Sequence, residues 1–205
     1  EWLNDNRCDV LISNDVSNIE AAFPFIDSSI KHIVYVHDSQ PAYRNVALRN
    51  AAWIDGIVCV ACHITSMIKP SLDSLNFSGV IETIHNGASF PPLLQGKPSS
   101  SQIRLLFMGS MDPIKGIQDL PSILAHLKKQ SVSFSLDIVG GFSDDVQHKL
   151  EKIGVSDHVT WHGRVPHEEC YKIASQSDIF LMLSRREPFG MVTIEAMSMS
   201  CPVIG

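Results

Sequence analysis

The chain has 205 residues, 44% of them apolar, which is enough to bury a core in one large domain or two small ones. Lys and Arg number 16 against 22 Asp and Glu, a net charge of −6, and this excludes the basic excess needed to neutralise a nucleic-acid backbone. No apolar run approaches the ~20 residues of a membrane-spanning helix, and the opening Glu1-Trp2-Leu3-Asn4-Asp5 lacks the charged start and apolar stretch of a secretory leader, so the expected compartment is the cytosol. Cys8, Cys59, Cys62, Cys170 and Cys201 are odd in number and sit in apolar stretches, which reads as reduced thiols rather than a disulfide framework.

Short apolar runs alternate with longer segments of helical period, the pattern of βαβ units and a parallel sheet. In the first half the spacing predicts strands at residues 9–13, 31–36, 57–61 and 80–84, and helices at 18–22, 42–52 and 64–75, the last kinked or shortened by Pro70. Residues 88–102 (ASFPPLLQGKPSSSQ) have almost no periodicity and mark a linker. Beyond them, strands are predicted at 103–108, 134–139, 158–162, 178–183 and 202–204. Ile117, Leu120, Ile123, Leu124 and Leu127 recur at offsets of three and four and define one buried helix face. Further helices are expected at 143–153, 167–175 and 190–200, the last apolar almost all round and therefore buried. The expected architecture is α/β, two Rossmann-like parallel-sheet halves: residues 1–90, a linker at 91–102, and 103–205. Because the sequence starts without Met and stops on an apolar strand leading into Gly205, it is expected to be a central fragment with both halves incomplete.

The strongest constellation is Glu187-Pro188-Phe189-Gly190-Met191-Val192-Thr193-Ile194-Glu195, which follows an apolar strand and opens a helix. Glu187 falls in the loop and Glu195 more than one turn into the helix. Two hydroxyl acceptors thus flank a cradle of free backbone N–H groups whose dipole favours an anion such as a diphosphate. A plainer reading makes Glu187 a first-turn helix charge and Glu195 a solvated residue. Val192, Ile194, Ala196 and Met197 around Glu195 leave little polar helix surface for that.

Residues 178–205 (DIFLMLSRREPFGMVTIEAMSMSCPVIG) closely resemble the signature of the retaining glycosyltransferases of family 4, whose GT-B fold pairs two facing Rossmann-like domains. The resemblance implies that Glu187 contacts donor-sugar hydroxyls, Glu195 binds the ribose of a nucleotide, and the backbone of Phe189, Gly190, Met191 and Val192 meets the diphosphate and sugar. Upstream, Phe107-Met108-Gly109-Ser110-Met111-Asp112-Pro113-Ile114-Lys115-Gly116 resembles the family's strand, Gly-Arg loop and Lys-Gly helix start. Lys115 keeps the diphosphate-neutralising lysine, while Ser110 stands where the family has Arg, a hydroxyl with no charge to offer a leaving group. Asp137-Ile138-Val139-Gly140-Gly141 resembles a glycine turn of the donor domain. Val159-Thr160-Trp161-His162-Gly163-Arg164-Val165 resembles the strand whose following backbone faces the base, making Arg164 and Val165 candidates for base contact. Ile84-His85-Asn86-Gly87 resembles the turn before the interdomain crossing, and Val36-His37-Asp38 the position whose histidine lies near the reacting sugar; as a residue alone, His37 is equally a hydrogen-bonded structural histidine.

The implied activity is transfer of a sugar from a nucleotide diphosphate sugar to an acceptor, a sugar, glycan or lipid-linked group, with retention of configuration and with no metal or other cofactor. Catalytic candidates are Glu187, Lys115 and His37, and the donor site is Glu195 with Gly109, Ser110, Phe189, Gly190, Met191, Val192, Arg164 and Val165. Other readings on the same fold are a degenerate, non-catalytic nucleotide-sugar binder and an epimerase; a phosphorylase would need a pyridoxal phosphate lysine that is not identified. Peripheral membrane contact stays open for a lipid-linked acceptor. Cys59-Val60-Ala61-Cys62-His63 spells a haem-attachment pattern but straddles an apolar strand, and His167-Glu168-Glu169-Cys170 stops short of a zinc motif. Gly109 to Gly116 lacks a P-loop ending, and no GxGxxG occurs. Asn76-Phe77-Ser78 is a glycosylation sequon by spelling alone.

Overall fold

A computed structural model describes residues 2–5, 8–14, 21–94 and 100–205. The chain divides into two compact units, Glu1–Gly87 and Ala88–Gly205, so residues 88–90, grouped above with the first half, go with the second. Within that second unit the Phe90 ring meets Tyr171 edge-on at 6.4 Å. The helix expected at 18–22 falls mostly outside the described residues.

In the first unit a short helix α1 (Trp2–Asp5) precedes β1 (Val10–Asn14), β2 (Lys31–Val36), α2 (Pro41–Arg49), β3 (Gly56–Cys59), α3 (Cys62–Ser74) and β4 (Val80–Thr83). The four strands are parallel in the order β1-β2-β3-β4. Pro70 does not shorten α3, which runs on to Ser74. Proline removes only its own N–H from the ladder, and Ile64, Ile68 and Leu72, each at most 1% exposed, fasten the helix on both sides of it.

The second unit runs β5 (Ile103–Met108), α4 (Leu120–Lys129), β6 (Phe134–Val139), α5 (Asp144–Lys152), β7 (Val159–Gly163), α6 (His167–Gln176), β8 (Ile179–Leu181), α7 (Met191–Ser198) and β9 (Val203–Ile204). Its parallel sheet has the order β7-β6-β5-β8-β9, so the winding reverses between β5 and β8. Ligands of open α/β sheets bind at such a reversal, beyond the carboxyl ends of the strands. Both sheet faces are covered: Leu105, Phe107, Leu136 and Ile138 pack with Leu120 and Leu124 of α4 and Val146 and Leu150 of α5. Leu106, Met108, Val139 and Phe180 pack with Tyr171 of α6 and Ala196 of α7. That double burial explains strands that read as continuous apolar runs. The last helix is an exception to expectation, because Glu195 and Ala196 are its buried residues while Met197 is 60% exposed. Only one side of α7 lies on the sheet. Among the described residues no helix is long and apolar enough to cross a membrane.

Three contacts fix the loops at the reversal. At its amino end, β5 is tied to β8 through Asp178, which accepts the Arg104 backbone N–H at 2.8 Å and the guanidinium at 3.1 and 3.2 Å. At the carboxyl end Gly116, in the left-handed region at φ +75°, lies so close to the Leu183 carbonyl that a Cβ would sit 2.0 Å from its oxygen. The Arg185 N–H then donates to the Ile114 carbonyl at 2.7 Å, and its guanidinium forks onto Asp119 at 2.6 and 2.8 Å. Next door, Gly140 (φ +126°) approaches the Gly109 carbonyl, which a Cβ would meet at 1.9 Å.

Gly140→Ala should therefore destabilise the second unit by about 2 kcal/mol or more in denaturant titration, whereas Gly87→Ala, with open space around it, should be close to neutral. An equal effect at both positions would refute the close approach. The Arg185 guanidinium beside Asp119 holds its carboxyl below the usual range. A depressed folded-state pKa gives stability that is complete above about pH 4 and is lost as pH falls through the lowered value. The melting-temperature gap between the wild type and Asp119→Asn should therefore hold from pH 7 to about pH 5 and close in stronger acid. A gap that persists at pH 2 would assign the effect to something other than this ionisation.

Candidate functional site

The close approach of Leu183 to Gly116 brings two side chains 72 residues apart into contact. Lys115, at the end of a 3-10 turn after β5, places Nζ 2.7 Å from Oε2 of Glu187 in the loop after β8. The Ser184 hydroxyl donates to the same oxygen at 3.1 Å. Both partners are about three-quarters buried, at 28% and 21% side-chain exposure, so the pair is positioned rather than solvent-averaged.

Glu187 leads through Pro188 into Gly190, which caps α7 in the left-handed region at φ +85°. A Cβ there would crowd the Thr193 hydroxyl at 3.2 Å and Glu187 Cγ at 3.3 Å. Glycine thus lets Glu187 fold over the start of the helix, whose first-turn N–H groups have no carbonyl four residues back to bond to. The Thr193 and Ile194 N–H groups are spent on the Gly190 carbonyl, at 2.9 and 3.4 Å. Met191 and Val192 stand at the helical positions whose N–H groups lack an intrahelical acceptor.

One turn further on, Glu195 is only 6% exposed, and no hydrogen-bond donor among the described residues reaches its carboxylate; His167 Nε2 is 3.9 Å away, too far for a hydrogen bond. Buried carboxylates are normally hydrogen-bonded, because an unpaired one forfeits its hydration. This one lines a cleft of about 330 Å³ together with Gly109, Ser110, Gly140, Arg164, Val165 and Val192. The β6 to β7 register shifts after Ile138, so that Trp161 and Gly163 face successive β6 residues and His162 is the extra one. Its ring contacts Asp137 Oδ1 at 2.6 Å, and the Gly163 carbonyl accepts the Gly140 N–H at 2.7 Å, setting residues 164 and 165 at the cleft wall.

The sequence-derived residues thus fall into three groups and an outlier, with Phe189, Gly190 and Met191 forming the approach to α7 and its first position. Glu187 and Lys115 meet directly, while Gly109, Ser110, Arg164, Val165, Val192 and Glu195 share the cleft. His37 lies in the first unit just beyond β2, its Nε2 hydrogen-bonded to Asn14 Oδ1 at the end of β1 and its ring stacked on Tyr35. Two further cleft residues, His167 and Cys170, carry in the sequence only an incomplete zinc motif. Their offset of three on α6, which puts both on one helix face, was the available signal. Burial first, and the Glu195 charge second, push the Cys170 thiol up, so it is a protonated wall of the cleft rather than a nucleophile. Ser184, three residues before Glu187, likewise belongs to no motif, and only its hydrogen bond to Glu187 gives it a place in the site.

A larger cavity of about 550 Å³ lies in the first unit near the amino ends of β2 and β3. Two of its polar side chains bond to the surrounding structure, Asp55 accepting Lys31 Nζ at 2.8 Å and the His32 N–H at 3.0 Å and His32 Nδ1 bonding the Trp53 carbonyl at 2.7 Å, while His32 Nε2 is buried without a hydrogen-bond partner among the described residues. It stands at the opposite end of the strands from where such sheets place ligands.

Known proteins resemble this chain at both the sequence and the structural level. A D-inositol 3-phosphate glycosyltransferase of Segniliparus rotundus is 29% identical over 115 residues, 53% of this chain and 25% of that protein. A glycogen synthase of Mycobacterium tuberculosis is 27% identical over 145 residues, 69% of this chain and 34% of that one. The chain thus spans about a third or less of these relatives. Among solved structures, the pneumococcal O-GlcNAc transferase GtfA, crystallised with UDP and GlcNAc, superposes with a TM-score of 0.79 at 18% identity, covering 100% of this chain and 43% of that one. Such a likeness establishes a shared fold, with both Rossmann-like units represented. Residues 95–205, more than half of the chain and including every cleft residue and the Lys115–Glu187 pair, match the glycosyl transferases group 1, and the chain belongs to that family.

Proposed function

We propose that the second unit binds a nucleotide diphosphate sugar and that the protein transfers the sugar to an acceptor hydroxyl with retention of configuration. The observation that carries this reading is the Glu195 carboxylate, nine-tenths buried and without a hydrogen-bond donor among the described residues, at the wall of an open cleft. A vicinal diol supplies the two donors such a carboxylate lacks, and a ribose is a vicinal diol at one end of a diphosphate. One turn toward the amino end, the α7 N–H groups and positive dipole end suit the phosphates. Beyond them Glu187, held by Lys115 and Ser184, is the acceptor for sugar hydroxyls. The backbone at Arg164 and Val165 borders the base.

In the reaction, the bond between the anomeric carbon and the phosphate oxygen breaks as the acceptor oxygen bonds to the same face of that carbon. The acceptor proton leaves with the departing phosphate. Lys115 and the α7 amides contribute to stabilising the charge that develops on the phosphates. Glu187 fixes the sugar ring against its cationic, oxocarbenium-like state. His37 of the first unit is carried in this reading as a candidate contact to the sugar or acceptor. Five free cysteines suit a reducing compartment and support a cytosolic site of action.

A thermal-shift titration with UDP, GDP and ADP and their sugar conjugates tests the binding half. One base should stabilise the protein by about 2.7 kcal/mol at a hundred times its dissociation constant, and Glu195→Ala should abolish that shift. No shift with any nucleotide overturns the assignment. For the chemical half, hydrolysis of the stabilising nucleotide sugar should fall at least about a hundredfold in Lys115→Ala and in Glu187→Gln, with nucleotide diphosphate affinity falling in the first and holding in the second. Binding with no turnover in the wild type would leave a nucleotide-sugar-binding protein.

A further inference from the structure

Resting on that reading of the cleft, we propose that the Arg164 side chain is a phosphate-binding group, the cation that compensates the donor diphosphate. A diphosphate brings more than one negative charge into the site. Lys115 carries a full positive charge, but Glu187 lies 2.7 Å from it and offsets most of that charge. The α7 dipole contributes roughly half a charge. Ser110, exposed at the cleft edge, offers a hydroxyl and no charge. Glu195 adds a negative charge of its own. With these contributions alone a bound diphosphate would face close to a neutral wall.

Arg164 lines the same cleft, on the strand end next to the Gly140 turn, with Ser110 and Gly109 on the far side of that turn. It is exposed, and no ion pair or hydrogen bond among the described residues holds its guanidinium. The contrast with the other arginines whose partners are known is informative. Arg104 is spent on Asp178, and Arg185 on Asp119. An arginine with five donors, unspent beside a cleft wall that lacks positive charge, matches the geometry and charge of phosphate oxygens. The base is then met by the backbone of residues 164 and 165, and the side chain is directed along the nucleotide toward its phosphates.

Isothermal titration of the chain with uridine, UMP, UDP and inorganic pyrophosphate, with the adenosine and guanosine series alongside, tests this in the wild type, Arg164→Gln and Arg164→Lys. For the series that binds, Arg164→Gln should weaken the diphosphate and pyrophosphate about tenfold or more, the monophosphate less, and leave the nucleoside within about twofold. Arg164→Lys should fall between, since it keeps the charge and loses the fork. An equal loss for nucleoside and diphosphate would make Arg164 a base contact and overturn the proposal, as would no loss at all. A wild type that binds none of these ligands would overturn the donor-site reading itself, a result separate from wild-type binding that Arg164→Gln leaves intact.

Discussion

The carbonyl of Leu183 lies where a side chain on residue 116 would have to be, and the chemistry of the second unit follows from that contact. Only a residue without a Cβ, at φ +75°, lets the loop after β8 settle onto the turn after β5. Once it has settled, the Arg185 amide reaches Ile114 and its guanidinium reaches Asp119, so the two loops are joined by backbone and by charge. Lys115 and Glu187 then have little choice of partner. The sheet reversal between β5 and β8 opens the crevice, and the glycine decides that its two walls meet rather than gape.

Two carboxylates eight positions apart end in opposite circumstances. Glu187 has a lysine and a serine hydroxyl on one oxygen, while Glu195 is more deeply buried and has neither. The first arrangement is complete without a ligand; the second is not. Desolvating a carboxylate costs several kcal/mol unless donors replace the water, and that cost is recovered when a ligand supplies them. In the proposed reading the incomplete carboxylate is therefore the selective element of the site, since a ligand lacking paired hydroxyls would leave its cost unrecovered.

Much of this was legible in the residues. Strands 31–36, 103–108 and 134–139 coincide with their predicted limits because their buried positions, alternating in Lys31–Val36 and nearly continuous from Leu105 to Met108, set an apolar pattern bounded by turn residues. The Glu187 to Glu195 spacing gave loop and helix positions for both carboxylates, and the burial of Glu195 follows from its apolar neighbours. What was not legible depended on tertiary contact. The segment after Ile114 reads as one helix by its apolar period, yet the structure divides it into 3-10 turns at Pro113–Lys115 and Ile117–Asp119 before α4 begins, because Gly116 must be left-handed against Leu183. Helix α7 reads as wholly buried because composition does not say which side faces the sheet. His167 and Cys170 carry no motif, and only the fold brings α6 to the cleft.

The Lys115–Glu187 pair also bears on how a donor is received. Holding two long side chains in one geometry costs conformational entropy, and the pair formed within the protein meets that cost for both. A lysine ammonium has three donors and Glu187 engages one of them. If the donor binds as proposed, a phosphate oxygen can share Lys115 with Glu187 without breaking the pair, and the Glu187 oxygen that Lys115 does not touch can accept a sugar hydroxyl. On the proposed reading, as negative charge builds on the departing phosphate, the lysine would be drawn from the carboxylate toward it, and the carboxylate would recover charge beside the sugar as the sugar becomes cationic. In that reading one ion pair would stabilise both halves of the charge separation, an interaction stronger in the transition state than in the ground state and so one that accelerates the chemical step.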